Sequence, residues 1–248
     1  MTHQEVDLSR RNMIKTTGLG AAVAATAAVL PSQARAGKDL PVQYAMVIDI
    51  RRCIGCQACS VACKTEFAVP LGLTRSWVEY VEKGIYPNVT RSFLPRLCNQ
   101  CSEPACVPVC PTGATYKRKE DGIVVVDADK CIGCKYCIQA CPYDARFINP
   151  LTGTADKCDF CLHRVEQGIA PSCVNTCQGK ARIFGDMNNP ESEVAKLIAT
   201  EPVTVLRQEM GTGPNVYYIG ADHADPNSKE YQDHYIRVET HRKEKERR

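Results

Sequence analysis

Sixteen cysteines in 248 residues, arranged as four groups of four, leave few folds open to this chain. Group one is Cys53, Cys56, Cys59 and Cys63, spaced C-x2-C-x2-C-x3-C. Group two is Cys98, Cys101, Cys106 and Cys110, spaced C-x2-C-x4-C-x3-C-P. Group three is Cys131, Cys134, Cys137 and Cys141, spaced C-x2-C-x2-C-x3-C-P, and group four is Cys158, Cys161, Cys173 and Cys177, spaced C-x2-C-x11-C-x3-C. No cysteine is left over.

An even cysteine count is compatible with disulfides. Adjacent C-x2-C pairs within triplets would, however, strain neighbouring bridges. Zinc suits C-x2-C pairs, but the triplets offer a third ligand at a spacing that zinc ribbons do not use. Covalent haem needs C-x-x-C-H, whereas Leu162 follows Cys161. The spacing is that of bacterial ferredoxins, in which three cysteines wrap one [4Fe–4S] cluster and the fourth, opening a helix, ligates the other. Four [4Fe–4S] clusters are therefore expected. The swap rule pairs Cys53, Cys56, Cys59 with Cys177 (set one) and Cys63 with Cys158, Cys161, Cys173 (set two). It pairs Cys98, Cys101, Cys106 with Cys141 (set three) and Cys110 with Cys131, Cys134, Cys137 (set four). Gly55 and Gly133 stand between the first two cysteines of their groups, where a missing side chain lets backbone N–H groups approach the sulfides.

The remaining composition narrows function further. Hydrophobic content is 44% and charged content 24%, ordinary for a globular chain. No basic block argues for nucleic acid. There is no nucleotide-binding loop and no nucleophile–base constellation, and every cysteine is spent on a cluster. The chain is thus expected to conduct electrons rather than to act as an enzyme in its own right. Lys64, Lys130, Lys135, Lys157 and Arg164 flank ligand cysteines and could raise local potentials, or be solvated surface charges. Tyr136 and Phe160 fall between ligands as shields against water, and His163 reads as a helix-surface residue.

The N-terminus reads as an address. Ser9-Arg10-Arg11-Asn12-Met13-Ile14-Lys15 precedes an apolar run from Gly18 to Leu30, too short to span a bilayer, and Ala34-Arg35-Ala36 offers a cleavage site. Residues 1–36 resemble a twin-arginine signal peptide, with Met13 where phenylalanine is favoured. Clusters are inserted in the cytoplasm, so export in the folded state fits. The expected location is the periplasm or the outer face of the cytoplasmic membrane.

Strands are expected at Tyr44–Asp49, Ala114–Lys117, Ile123–Val126, Ala145–Ile148, Thr154–Asp156 and Ala181–Phe184. Turns are expected at Asp121-Gly122 and Leu151-Thr152-Gly153. Strand, cysteine loop, short helix, strand recurs about four times. The fold class is α+β: two ferredoxin-like two-cluster units related by internal repeat, with an insertion and a C-terminal extension. Residues 37–66 and 142–190 form the unit holding groups one and four. Residues 95–141 form the unit holding groups two and three. Residues 67–94, with the packing aromatics Trp77 and Tyr80, form the insertion. Residues 191–248 form a docking segment ending in a charged tail, Arg237–Arg248, read as a solvated end.

From Tyr44 to Asp186 the chain resembles the four-cluster electron-transfer subunits of the molybdopterin oxidoreductase family, which serve dimethyl sulfoxide, polysulfide, thiosulfate and tetrathionate reductases. The tetrathionate branch matches best. The resemblance rests on Ile50-Arg51-Arg52-Cys53-Ile54-Gly55-Cys56-Gln57, Leu94-Pro95-Arg96-Leu97-Cys98-Asn99, Cys106-Val107-Pro108-Val109-Cys110-Pro111, Asp121-Gly122-Ile123-Val124-Val125-Val126-Asp127 and Ala140-Cys141-Pro142-Tyr143-Asp144-Ala145-Arg146-Phe147-Ile148-Asn149. All sixteen cysteines match ligand positions. The resemblance implies a respiratory complex with two partners: a catalytic subunit carrying molybdopterin and an integral membrane subunit that exchanges electrons with quinone. The alternatives are the same wire in a molybdenum-free, quinone-linked periplasmic complex associated with nitrite or sulfite, and a free ferredoxin-like carrier.

Overall fold

The computed structural model describes residues 42–221. The twin-arginine signal over residues 1–36 and the charged tail Arg237–Arg248 lie outside the described residues.

The apolar run of β1 (Tyr44–Asp49) is buried from Ala45 onward, which suits a strand covered on both faces. It pairs antiparallel with β8 (Arg182–Asp186), Ile48 opposite Arg182, and parallel with β10 (Val216–Ile219), Met46 opposite Val216. The two-residue β9 (Val203–Thr204) closes the far edge, giving the order β8-β1-β10-β9. Strand alternation separates two cores. Met46 and Ile48 face Leu94, Phe160 and Tyr218 on the cysteine side. Ala45 and Val47 face Ile183, Val194 and Ile219 on the other. That second core is roofed by α5 (Glu193–Thr200), whose N-cap Ser192 accepts from the Ala195 N–H at 3.1 Å. Residues 193–219, assigned by sequence to an extension, thus supply α5, β9 and β10 to the main sheet.

The stretch read as an insertion contributes a long hairpin. β2 (Ser76–Ile85) and β3 (Asn88–Leu97) pair along ten residues each, from Ser76 opposite Leu97 to Ile85 opposite Asn88, around a cis Tyr86–Pro87 bond. Its root buries Val78, Val81, Leu94 and Leu97, while Ile85 and Tyr86 at its tip are exposed. Tyr80 and Phe93 meet edge to face across the strands.

Two short ribbons complete the strands. β4 (Thr115–Lys117) pairs with β5 (Val124–Val126), and β6 (Arg146–Ile148) pairs with β7 (Ala155–Lys157). The helices are brief: α1 (Ala58–Glu66), α2 (Tyr136–Gln139), α3 (Leu162–Val165) and α4 (Ser172–Asn175). The architecture is mixed α/β with small sheets and short helices. Among the described residues no helix is long and apolar enough to cross a membrane.

Candidate metal centres

All sixteen cysteines are unbridged. Cys53, Cys56, Cys59 and Cys177 wall one cavity together with Arg182 and Gly179. Cys98, Cys101, Cys106 and Cys141 wall a second, with Asn99 and Arg146. Cys110, Cys131, Cys134 and Cys137 wall a third. Cys63, Cys158, Cys161 and Cys173 lie within electrostatic reach of one another, and all four are buried. Each grouping joins three residues of one sequence group to one residue of another. Among the described residues no three His, Cys, Asp or Glu side chains converge as the site of a single metal ion. The sulfurs of the first three groupings line cavity walls, an arrangement open to a multi-atom cluster. A roomier cleft of about 430 Å³, lined by Arg75, Tyr116, Asn149 and Asp156, contains no cysteine in its wall.

The local backbone explains the loops. The turn residue Gly55 has φ +69°, and a Cβ there would lie 2.4 Å from the Phe93 ring. Gly133 has φ +67°, and its Cβ would lie 2.4 Å from the Gly153 carbonyl oxygen. Only glycine meets both the left-handed geometry and the close approach. Backbone N–H groups aim at sulfur: Thr115 at Cys110 Sγ (3.4 Å), Ala155 at Cys131 Sγ (3.3 Å), Ala181 at Cys177 Sγ (3.3 Å) and Phe160 at Cys158 Sγ (3.5 Å). Such donors favour a sulfur that carries negative charge.

The donor set fits [4Fe–4S] groups. Burial pushes the thiols of Cys63, Cys101 and Cys161 up to about 12, and Cys158 well above its ordinary value. Left alone they would stay protonated. Bound iron would supply the positive charge that makes them thiolates. Cys110 differs: burial raises it, but the N–H and hydroxyl donors of Thr115 and Thr112 outweigh this, and it sits below the ordinary thiol value. Asn99, buried against the set-three cavity, leaves both amide atoms without a partner. Its Nδ2 could donate to the sulfide of a group bound there.

The cations picked out by sequence adjacency divide. Lys64 donates to the carbonyls of Pro70 (2.7 Å) and Leu73 (2.8 Å), and Lys130 pairs at the surface with Asp127 (2.8 Å). Arg164 and His163 both engage Glu66. Lys135 caps α2 in the left-handed conformation. Lys157 alone of the five is buried, donating to the Val124 and Cys158 carbonyls. Phe160 is buried, as a shield should be, whereas Tyr136 is 58% exposed. Sequence adjacency misses two cations that do reach sulfur sites. Arg146 donates from Nη2 to Cys106 Sγ at 2.9 Å, and Arg182 lines the set-one cavity. Their shared signal is register, since each lies five residues after the last cysteine of its group.

Comparison with known proteins yields one matching family model, the 4Fe-4S dicluster domain, over residues 89–187. The chain is 54% identical to the B subunit of tetrathionate reductase from Salmonella typhimurium, over 73% of this chain and 74% of that protein. It is 46% identical to the B subunit of selenate reductase from Mesobacillus selenatarsenatis, over 72% of each. It is 41% identical to protein NrfC of Escherichia coli, over 85% of this chain and 95% of that protein.

Proposed function

The chain belongs to the iron–sulfur electron-transfer subunits of reductase complexes, and from that premise we propose that it relays electrons through sets one, two, three and four in that order. The chain is a non-catalytic subunit with [4Fe–4S] cofactors, and sixteen cysteines match four of them. Each bound cluster supplies one-electron redox chemistry.

The protein's part is position and environment. The observation that carries the reading is the exchange of one cysteine between groups, with Cys177, Cys141 and Cys110 each walled in with a foreign triplet and Cys63 buried within electrostatic reach of another. The order is supported by neighbouring sulfurs: Cys173 of set two feels Cys59 of set one, and Cys158 of set two feels Cys98 of set three. Set two is buried throughout, while Cys56 of set one and Cys134 of set four are exposed. Ile54 and Ile132 stand exposed beside them. These two ends are where partners would exchange electrons.

The wider assignment follows the resemblance. One end would face a molybdopterin catalytic subunit and the other a quinone-interacting membrane subunit, in a tetrathionate-, thiosulfate- or polysulfide-type respiratory reductase. The paired arginines of the signal region support export by the twin-arginine route to the periplasmic side. An internal repeat is supported by the ribbons β4–β5 and β6–β7 after Cys110 and Cys141, and by the matched arginines after Cys141 and Cys177.

Cys141→Ser in the full chain tests the pairing. The swapped arrangement predicts that the cluster of Cys98, Cys101 and Cys106 is altered in the EPR spectrum of the reduced protein. Alteration of the cluster of Cys131, Cys134 and Cys137 instead would overturn it. Co-purification of a molybdenum-containing subunit with the tagged chain tests the complex.

A further inference from the structure

We propose that the relay has a buried cation in each of its three gaps, Arg182 between sets one and two, Lys157 between sets two and three and Arg146 between sets three and four, and that each one holds up the potentials of both clusters beside it. The inference rests on the set pairing above.

Each side chain is almost sealed from water, Arg146 at 5% exposure, Lys157 at 3% and Arg182 at 3%. Buried charges are ordinarily paired. Among the described residues none of these three has a carboxylate partner. Arg146 Nη1 donates to Thr115 Oγ1 at 3.2 Å and Nη2 to Cys106 Sγ at 2.9 Å. Arg182 Nη2 donates to Ser76 Oγ at 2.8 Å, and its Nη1 is buried with no partner. Lys157 Nζ reaches only the carbonyls of Val124 and Cys158. Among the described residues, the sulfur sets stand nearest to balance these charges.

Each cation reaches two sets. The sulfurs acting on Arg182 are Cys173 and Cys158 of set two and Cys59 of set one. Those acting on Arg146 are Cys106 and Cys98 of set three and Cys137 of set four. Lys157 bonds the backbone of Cys158 in set two and acts on the thiol of Cys106 in set three.

The physical consequence is direct. Reduction adds one negative charge to a cluster already anionic with its thiolates, and a cation in a dry gap favours that added charge. Shared between two clusters, it also offsets their mutual repulsion when both are reduced.

EPR-monitored redox titration of the full, cluster-loaded chain tests this with Arg182→Gln, Lys157→Gln and Arg146→Gln. Each neutral variant is expected to shift the reduced-to-oxidised ratio of both flanking clusters at least tenfold toward oxidised, a 59 mV fall for one electron. The two remote clusters should change less than twofold. Arg182→Lys, Arg146→Lys and Lys157→Arg keep the charge and should hold the reduced-to-oxidised ratio of both flanking clusters within threefold of the parent. They serve as the test at any position where glutamine costs iron. Unchanged flanking potentials, an equal shift of all four clusters, or charge-keeping variants that shift as far as glutamine would overturn the proposal. A failure of the pairing shows separately, as the wrong cluster altered in Cys141→Ser.

Discussion

Glu66 Oε1 lies 2.8 Å from His163 Nε2, joining the last residue of α1, which carries Cys59 and Cys63, to α3, which follows Cys161. Arg164 Nη1 adds a contact to Glu66 Oε2 at 3.2 Å. The two sequence groups that share sets one and two are thus tied at the surface. The His163 hydrogen bond is the main cause of a Glu66 carboxyl held below its ordinary range. A carboxyl lowered by folding contributes stability above its unfolded value, and loses it as pH falls through the folded one. Glu66→Gln is expected to cost about 0.5–1 kcal/mol at pH 7. In thermal melts the advantage of the parent over this variant should be full at pH 7 and shrink below about pH 4. A difference that stays constant across that range would remove the ionic part of the account.

Gln100 bonds more widely than its sequence neighbourhood suggests. Its side chain donates from Nε2 to the Cys158 carbonyl at 2.7 Å and accepts from the Val124 N–H at 2.8 Å, while its own carbonyl accepts from Asn215 Nδ2 at 2.6 Å. It therefore links group four, β5 and the segment before β10 at a fully buried point. Gln100→Ala strands the buried Val124 N–H, at roughly 1–3 kcal/mol, and leaves the Cys158 carbonyl with Lys157 as its donor. The melting midpoint should fall by several degrees, with roughly 2–4 °C lost per kcal/mol in a chain this size. A midpoint within 1 °C of the parent, taking about that as no change, would contradict the buried bridge.

Two glycines facing each other separate strain from steric conflict. Gly133 and Gly153 both have positive φ, but a Cβ on Gly133 would meet the Gly153 oxygen at 2.4 Å, whereas a Cβ on Gly153 would meet nothing within 4 Å. Gly153→Ala bears only the left-handed penalty, about 1 kcal/mol, and should keep about 16 irons per chain. Gly133→Ala must displace backbone beside Cys131 and Cys134, so iron should drop toward about 12, with set four lost. Iron quantitation of both variants checks this, and equal iron in the two would count against the steric argument.

Much of this was legible in the sequence. Cysteine spacing is the basis of the proposed sets, and the expected strands from Tyr44–Asp49 to Ala181–Phe184 match β1, β4 to β7 and β8 within a residue or two. What escaped has physical reasons. The hairpin β2–β3 mixes Glu79, Glu82, Lys83 and Arg91 among its apolar residues because its outer half is solvated, which blurs the alternation. The run Val216-Tyr217-Tyr218-Ile219 is only four residues long, and its parallel pairing with β1 joins segments 170 positions apart (Met46 to Val216) that no local signal connects. Arg146 and Arg182 escaped because nearness to a cysteine in sequence is a poor guide to nearness in space. Lys64 and Lys130 flank ligands and turn away, while the two arginines return through strands.

The position of β10 sets a timetable. Every cysteine has been synthesised by residue 177, yet the sheet beneath sets one and two lacks its inner strand until residues 216–219 arrive, and Tyr218 must then donate to the Pro95 carbonyl at 3.0 Å to seal the hairpin root. A growing chain can gather its sulfurs long before it can enclose them. A chain cut before residue 216 would keep all sixteen cysteines and lose the strand that pairs in parallel with β1.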